Sequence, residues 1–132
     1  MAEVWDVLVI DDEPVVRDSV QRVLAEEGFR VATVRDAASA LAHPALATCR
    51  LVLCDLMLPD RSGTDVLSAL HARRPDLPVV VITGYATGEN AERAKAAGAM
   101  ECLPKPFEVS ELLAAVHRAL QDREGAREGG LS

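Results

Sequence analysis

An α/β fold built on a doubly wound parallel sheet is what this sequence predicts, and three observations carry the prediction. Short apolar runs recur at Val4 to Ile10, Val31 to Val34, Leu51 to Cys54, Leu77 to Thr83 and Met100 to Leu103, each followed by a stretch with helical spacing; that alternation is the mark of βαβ units. Hydrophobic residues make up 49% of the chain and aromatics only 3%, so the core must be built from Val, Leu, Ile and Ala, as in parallel sheets covered on both faces. The 132 residues suit one domain, able to bury about two thirds of the surface its unfolded form exposes without help from disulfides.

Each element follows from its local pattern. After the first run, Pro14 opens a helix in which Val16, Val20, Val23 and Leu24 share a face, and Gly28 closes it, the residue a helix C-terminus favours. The second run leads into the alanine-rich stretch Ala37 to Leu41, only weakly amphipathic. After the third, Val66, Leu67 and Leu70 gather on a helix from Thr64 to Arg73, which Pro75 ends. The fourth run precedes Ala91 to Ala97, expected to be the most shallowly anchored helix because alanine removes little area from water. The last helix is the clearest, with Val109, Leu112, Leu113, Val116 and Leu120 at i, i+3, i+4, i+7 and i+11.

Residues 1–122 therefore read as one domain. Residues 123–132 carry three glycines and no apolar period, and read as a flexible tail or linker stub. Five strands and five helices in strict alternation, joined by right-handed crossovers, leave a five-stranded sheet of order 2-1-3-4-5, the flavodoxin-like arrangement, as the economical topology.

Composition excludes several classes. With 14 basic against 21 acidic residues the formal charge is -7, which opposes direct binding to nucleic acid or anionic lipid. No apolar stretch approaches the ~20 residues of a membrane span, and Met-Ala-Glu-Val-Trp lacks the basic start of an export signal, so the expected location is the cytoplasm. Cys49, Cys54 and Cys102 have no CxxC spacing and read as free thiols, the latter two inside buried strands. His43, His71 and His117 are scattered and suggest no metal site.

Chemistry gathers at the strand ends. Asp11 and Asp12 stand where the first run stops and Asp55 where the third stops, the two strands between which the winding of such a sheet reverses. Bringing like charges together raises their pKa values unless a cation compensates, so three carboxylates at one edge call for a divalent ion such as Mg²⁺. The fourth run ends in Thr83-Gly84 and the fifth is followed by Lys105-Pro106-Phe107, adding a hydroxyl and an ammonium. Such a pocket suits a phosphoryl group, towards which a screened aspartate can act as nucleophile. Each residue also has a plainer reading: Asp11 or Asp12 as a helix N-cap, Glu13 as a surface charge in the first helical turn, Thr83 as a strand end, Lys105 as a solvated loop charge.

Asp11-Asp12-Glu13-Pro14, Asp55-Leu56-Met57-Leu58-Pro59-Asp60 with Gly63, Thr83-Gly84, Gly98-Ala99 and Lys105-Pro106-Phe107 follow one another in this order. In this ordered set the chain resembles a receiver domain of the bacterial response-regulator family, the match running from Val4 to Leu120. The resemblance implies that Asp55 accepts a phosphoryl group from a histidine kinase or phosphotransfer protein. It implies that Asp11, Asp12, Asp55 and the main-chain carbonyl of Met57 hold Mg²⁺, that Thr83 contacts the phosphoryl oxygens, that Lys105 pairs with the phosphoryl group, and that the Lys105–Pro106 bond is cis. It also implies a downstream effector or output domain reading the face of the fourth helix, fifth strand and fifth helix. A homodimer through the last strand and helix is a further expected partner, for which no individual residue argues.

The chain departs from the family at Cys102, three positions before the lysine, where an aromatic residue is usual. A cysteine has no phenol to present, so the coupled rotation of threonine and ring cannot operate in that form. Tyr85, the single tyrosine, and Met57 are candidates to hinder the water that would hydrolyse an aspartyl phosphate. The expected protein is not an enzyme beyond its own phosphorylation and slow autodephosphorylation. Two alternatives stand beside it: a degenerate receiver acting as an unphosphorylated docking module, and a haloacid-dehalogenase-like phosphatase. The second needs an acid or base two residues after the nucleophile, where Met57 stands.

Overall fold

The computed structural model describes the backbone of residues 4–84 and 87–129 and the side chains as far as 121. Its strands are β1 (Val7–Ile10), β2 (Val31–Val34), β3 (Leu51–Asp55), β4 (Val79–Thr83) and β5 (Glu101–Pro104). Its helices are α1 (Pro14–Glu26), α2 (Ala37–Ala42), α3 (Ala45–Thr48), α4 (Gly63–Arg73), α5 (Gly88–Ala96) and α6 (Val109–Gly129). The strands form one parallel sheet in the order β2-β1-β3-β4-β5, as the alternation of runs predicts.

Six helices appear among the described residues where the sequence predicts five. The stretch after β2 divides at His43-Pro44: His43 is extended (φ −80°, ψ 136°) and Pro44 caps α3. Proline disfavours the helical region for the residue before it and brings no N–H to a helical ladder. The first strand is also shorter than its apolar run, since Val4 is exposed and the ladder begins at Val7. The backbone of α6 continues to Gly129, past the Asp122 at which the apolar period ends.

Two apolar layers sandwich the sheet, and strand alternation assigns residues between them. Val7 and Val9 face the layer closed by Val20 and Leu24 of α1 and Leu112, Val116 and Leu120 of α6. Leu8 and Ile10 face the layer of α2 to α5, with Val66, Leu67 and Leu70 of α4 and Ala94, the one buried residue of α5. The light anchoring expected for that helix is thus present. Cys49 and Cys54 are buried, but Cys102 is only partly so: β5 is the last strand of the sheet, paired on one side alone.

Two loop devices carry testable consequences. Gly98, after α5, adopts φ +112°, and a Cβ there would come within 2.5 Å of the His71 ring. Gly98→Ala is expected to lower stability by at least about 2 kcal/mol, the cost of forcing a side chain into left-handed backbone. Adding His71→Ala should relieve only the steric part, read from shifted urea midpoints. At α2, the Asp36 carboxylate accepts from Ser39 N–H, while Asp60 accepts from Ala37 N–H and Ala38 N–H. These hydrogen bonds hold both carboxyls below the usual carboxylate range: for Asp36 through the Ser39 side chain and N–H, for Asp60 through Ala37 and Ala38. Depressed carboxylates contribute stability above their unfolded pKa near ~3.9 and lose it as pH falls through the folded value. Asp60→Asn should therefore flatten the loss of stability below about pH 4 in an acid titration of unfolding.

Candidate functional site

The carboxyl edge of the sheet is where β1 and β3 deliver their acids. Asp11 follows β1 directly, its N–H still bonded to Val34 O at 3.1 Å, and it is fully buried. Asp55 ends β3 and is 4% exposed. One oxygen from each of Asp11, Asp12, Glu13 and Asp55 lies within 4.8 Å of the others.

Lys105 enters this cluster from the loop after β5. Its Nζ lies 2.8 Å from Asp11 Oδ2, 3.0 Å from Glu13 Oε1 and 3.1 Å from Asp55 Oδ2. Its N–H bonds Thr83 O at 2.8 Å, which joins the loop to the end of β4, and the Lys105–Pro106 bond is cis. Burial works against the lysine's charge, but the carboxylates of Asp11, Glu13 and Asp55 around it more than offset this, holding the ammonium above the ordinary lysine range. The Asp11 carboxyl also lies above its usual value: burial raises it, the Asp55 charge adds to that, and Lys105 and the Glu13 N–H only partly compensate.

Four clustered carboxylates, three of them paired with one ammonium, leave negative charge in excess. Asp11 Oδ1 accepts from Glu13 N–H at 2.9 Å, whereas Asp11 Oδ2 is sealed from water with no aligned hydrogen-bond donor, Lys105 being close only as an ion pair. An all-oxygen donor set with a buried, poorly satisfied carboxylate oxygen fits a hard divalent cation such as Mg²⁺.

The remaining expected residues fall around this centre. Thr83 is fully buried at the end of β4, one position beyond Ile82, which pairs with Asp55. Met57 is exposed, and its N–H donates to Asp55 Oδ1 at 3.0 Å. The loop then closes tightly: Met57 bridges Ser62, Gly63 N–H bonds Leu56 O at 2.9 Å, and a Cβ on Gly63 would stand 2.6 Å from Leu56 Cα. Tyr85 lies outside the described residues. Cys102 packs against the α2-to-α5 layer, and burial raises its thiol above the ordinary value although Lys95 opposes this.

Glu13 is the residue that sequence reasoning undervalued. It serves as the N-cap of α1 without capping it through its side chain, and its carboxylate turns to Lys105. Its adjacency to the acid pair was the available signal; the loop that brings Lys105 across 92 positions was not visible in local pattern. Neither Asp11 nor Asp12 is the N-cap of α1. Beside Lys105 a cavity of about 480 Å³ opens between α1 and α6, lined largely by apolar side chains including Val16, Val20, Phe107 and Leu112.

Comparison with known proteins gives a consistent result. A family model described as the response regulator receiver domain matches residues 7–117. The probable transcriptional regulatory protein TcrX of Mycobacterium tuberculosis is 39% identical over 119 residues, covering 90% of this chain and 50% of that protein. The DNA-binding transcriptional regulator NtrC of Rhizobium meliloti is 34% identical over 116 residues, 88% of this chain and 24% of that one. The chain thus spans between a quarter and a half of these relatives. Among solved structures, the receiver domain of NtrX from Brucella abortus superposes with a TM-score of 0.82 at 38% identity, covering 88% of this chain and 98% of that one. A CheY-like receiver domain protein from Methanospirillum hungatei gives 0.86 at 31%, with coverage of 94% and 99%.

Proposed function

Because the chain belongs to the response regulator receiver family of two-component signalling, we propose that Asp55 is its phosphoacceptor, served by Mg²⁺, Thr83 and Lys105. The observation that carries this reading is the meeting of Asp55 Oδ2 with Lys105 Nζ at 3.1 Å beside the buried Asp11. A nucleophilic carboxylate, a fixed cation and a divalent-ion cluster share one strand edge.

Asp11, Asp12, Asp55 and the Met57 main-chain carbonyl would hold the ion. When bound, Mg²⁺ supplies charge screening for the carboxylate and the phosphoryl oxygens. An Asp55 oxygen forms its bond to phosphorus as the bond from phosphorus to the donor's imidazole nitrogen breaks, and the electron pair leaves with that nitrogen. Lys105 presents its charge to the phosphoryl oxygens and Thr83 its hydroxyl. The family implies a histidine kinase as partner and an output domain or effector downstream; a phosphotransfer protein could deliver the group equally well. The apolar cavity beside Lys105 gives such a donor a surface to approach.

The readout face is α5, β5 and α6, the fourth helix, fifth strand and fifth helix of the sequence reading. It carries the ion pair of Arg118 with Glu101. With Cys102 in place of the aromatic, no ring at that position rotates with Thr83. This domain turns over no substrate beyond its own aspartyl phosphate, acts in the cytoplasm and does not itself contact nucleic acid. No described helix is long and apolar enough to cross a membrane. Residues 1–122 form the functional unit, and the stretch after them, which continues α6 as far as Gly129, lies outside it. The ordered set Asp11, Asp12, Asp55, Thr83 and Lys105 favours this reading over an unphosphorylated docking module, and Met57, a thioether where a general acid would be needed, disfavours the phosphatase.

Incubation with acetyl phosphate in Mg²⁺ or in EDTA, followed by intact-mass analysis, tests it. One added phosphoryl group per chain, dependent on Mg²⁺, is expected. An unchanged mass in both would overturn the proposal in favour of docking, and continuous phosphate release would favour the phosphatase.

A further inference from the structure

Asp60 sits in the loop between β3 and α4, five positions after the proposed phosphoacceptor, and its carboxylate leaves that loop altogether. Oδ1 accepts from Ala37 N–H and Oδ2 from Ala38 N–H, both at 3.0 Å, across 23 and 22 positions of sequence. The helix it reaches already has a local cap, since Asp36 Oδ1 takes Ser39 N–H at 2.7 Å. A cap alone could come from its own neighbours; one supplied by the β3–α4 loop ties that loop to α2.

The tie reaches the site through a short path. Met57 and Ser62 form an isolated antiparallel bridge, so residues 57–62 close on themselves with Asp60 near the tip. At the base of this loop Met57 N–H holds Asp55 Oδ1. Leu56 and Leu58 rest half-buried against the core while Met57, Pro59, Asp60 and Arg61 are out or nearly so. Packing therefore fixes only part of the loop, and two charge-assisted hydrogen bonds fix its tip.

We propose that Asp60 is a positioning residue: by gripping the Ala37 and Ala38 N–H groups it fixes the loop that carries Met57, and so tunes how tightly the acidic cluster holds a divalent cation. This rests on the reading of Asp55, Asp11, Asp12 and Met57 as the cation site. Asp60 lies outside that set, its carboxylate turned to α2. Partners that orient metal ligands without binding the metal commonly change affinity by about 10- to 100-fold when lost; an exposed residue acting through a loop belongs at the lower end.

Calorimetric titration of Mg²⁺ into the full chain and its Asp60→Ala, Asp60→Asn and Asp36→Ala variants, with amide exchange followed at Met57, decides the matter. Asp60→Ala is expected to weaken Mg²⁺ about tenfold and to speed exchange at the Met57 amide. Asp60→Asn, which keeps the shape and one acceptor, should fall between and guards against a folding failure of the alanine variant. Asp36→Ala should lower stability yet leave Mg²⁺ affinity within about twofold of the parent, because it loosens α2 without freeing the loop. Unchanged affinity in both Asp60 variants would overturn the proposal, as would an equal loss in Asp36→Ala, which would assign the effect to α2 alone. A parent chain that binds no Mg²⁺ would instead strike the cation-site reading itself.

Discussion

Asp55→Asn is expected to abolish phosphoryl uptake from acetyl phosphate while leaving the fold intact. An amide oxygen is a poor nucleophile towards phosphorus, and no other carboxylate of the cluster stands at the end of β3 between Lys105 and the Met57 N–H. The structural consequences are small by comparison. An asparagine side-chain oxygen can still accept the Met57 N–H, and Lys105 keeps Asp11 and Glu13. Removing one of several crowded negative charges also relieves repulsion, so the variant should melt no lower than its parent in the absence of Mg²⁺. Intact mass after incubation and thermal unfolding on the same sample read both halves. A phosphoryl group retained by the variant would place the acceptor elsewhere.

Lys105→Ala carries the largest expected effect on stability. Its ammonium pairs with the side-chain carboxylates of Asp11, Glu13 and Asp55, and two of those acids are buried. Removing one partner from a buried ionic group typically costs about 3–5 kcal/mol, because the other charges are left uncompensated. Glu13 is 60% exposed and retains water, so about 3 kcal/mol is expected, read from urea unfolding in EDTA. Mg²⁺ should restore part of the loss, and Asp11→Asn in the same chain should restore more, giving a strongly non-additive double-mutant cycle. The sign with pH follows from the raised ammonium. Its contribution is complete below the ordinary lysine value near ~10.4 and fades only as pH climbs towards the higher folded value. Measurements at neutral pH therefore see the lysine fully charged. A Lys105→Ala chain as stable as its parent would mean that the acids neutralise themselves by binding protons.

The fold was legible because its signals are local and repeated. Runs such as Val31 to Val34 are bounded on both sides, and Pro14 with Gly28 marks both ends of α1. The misreadings share a cause. Alanine-rich stretches have too little periodicity to show that Pro44 divides one helix into two, and the burial expected for Cys102 ignored the place of β5 at the margin of the sheet. For the site, position at strand ends was enough to bring Asp11, Asp12, Asp55, Thr83 and Lys105 to one edge. Side-chain direction was not readable. That Glu13 would turn to a lysine 92 positions away, or Asp60 to Ala37 and Ala38, depends on loops whose paths are set by tertiary packing.

β5 has a neighbour on one flank only, and this asymmetry sets how much pairing a displaced strand gives up. A shift of an inner strand would have to break two ladders and disturb the acids at their ends. A shift of the outermost one disturbs a single ladder, and because Lys105 follows β5 directly, it would carry that ammonium with it.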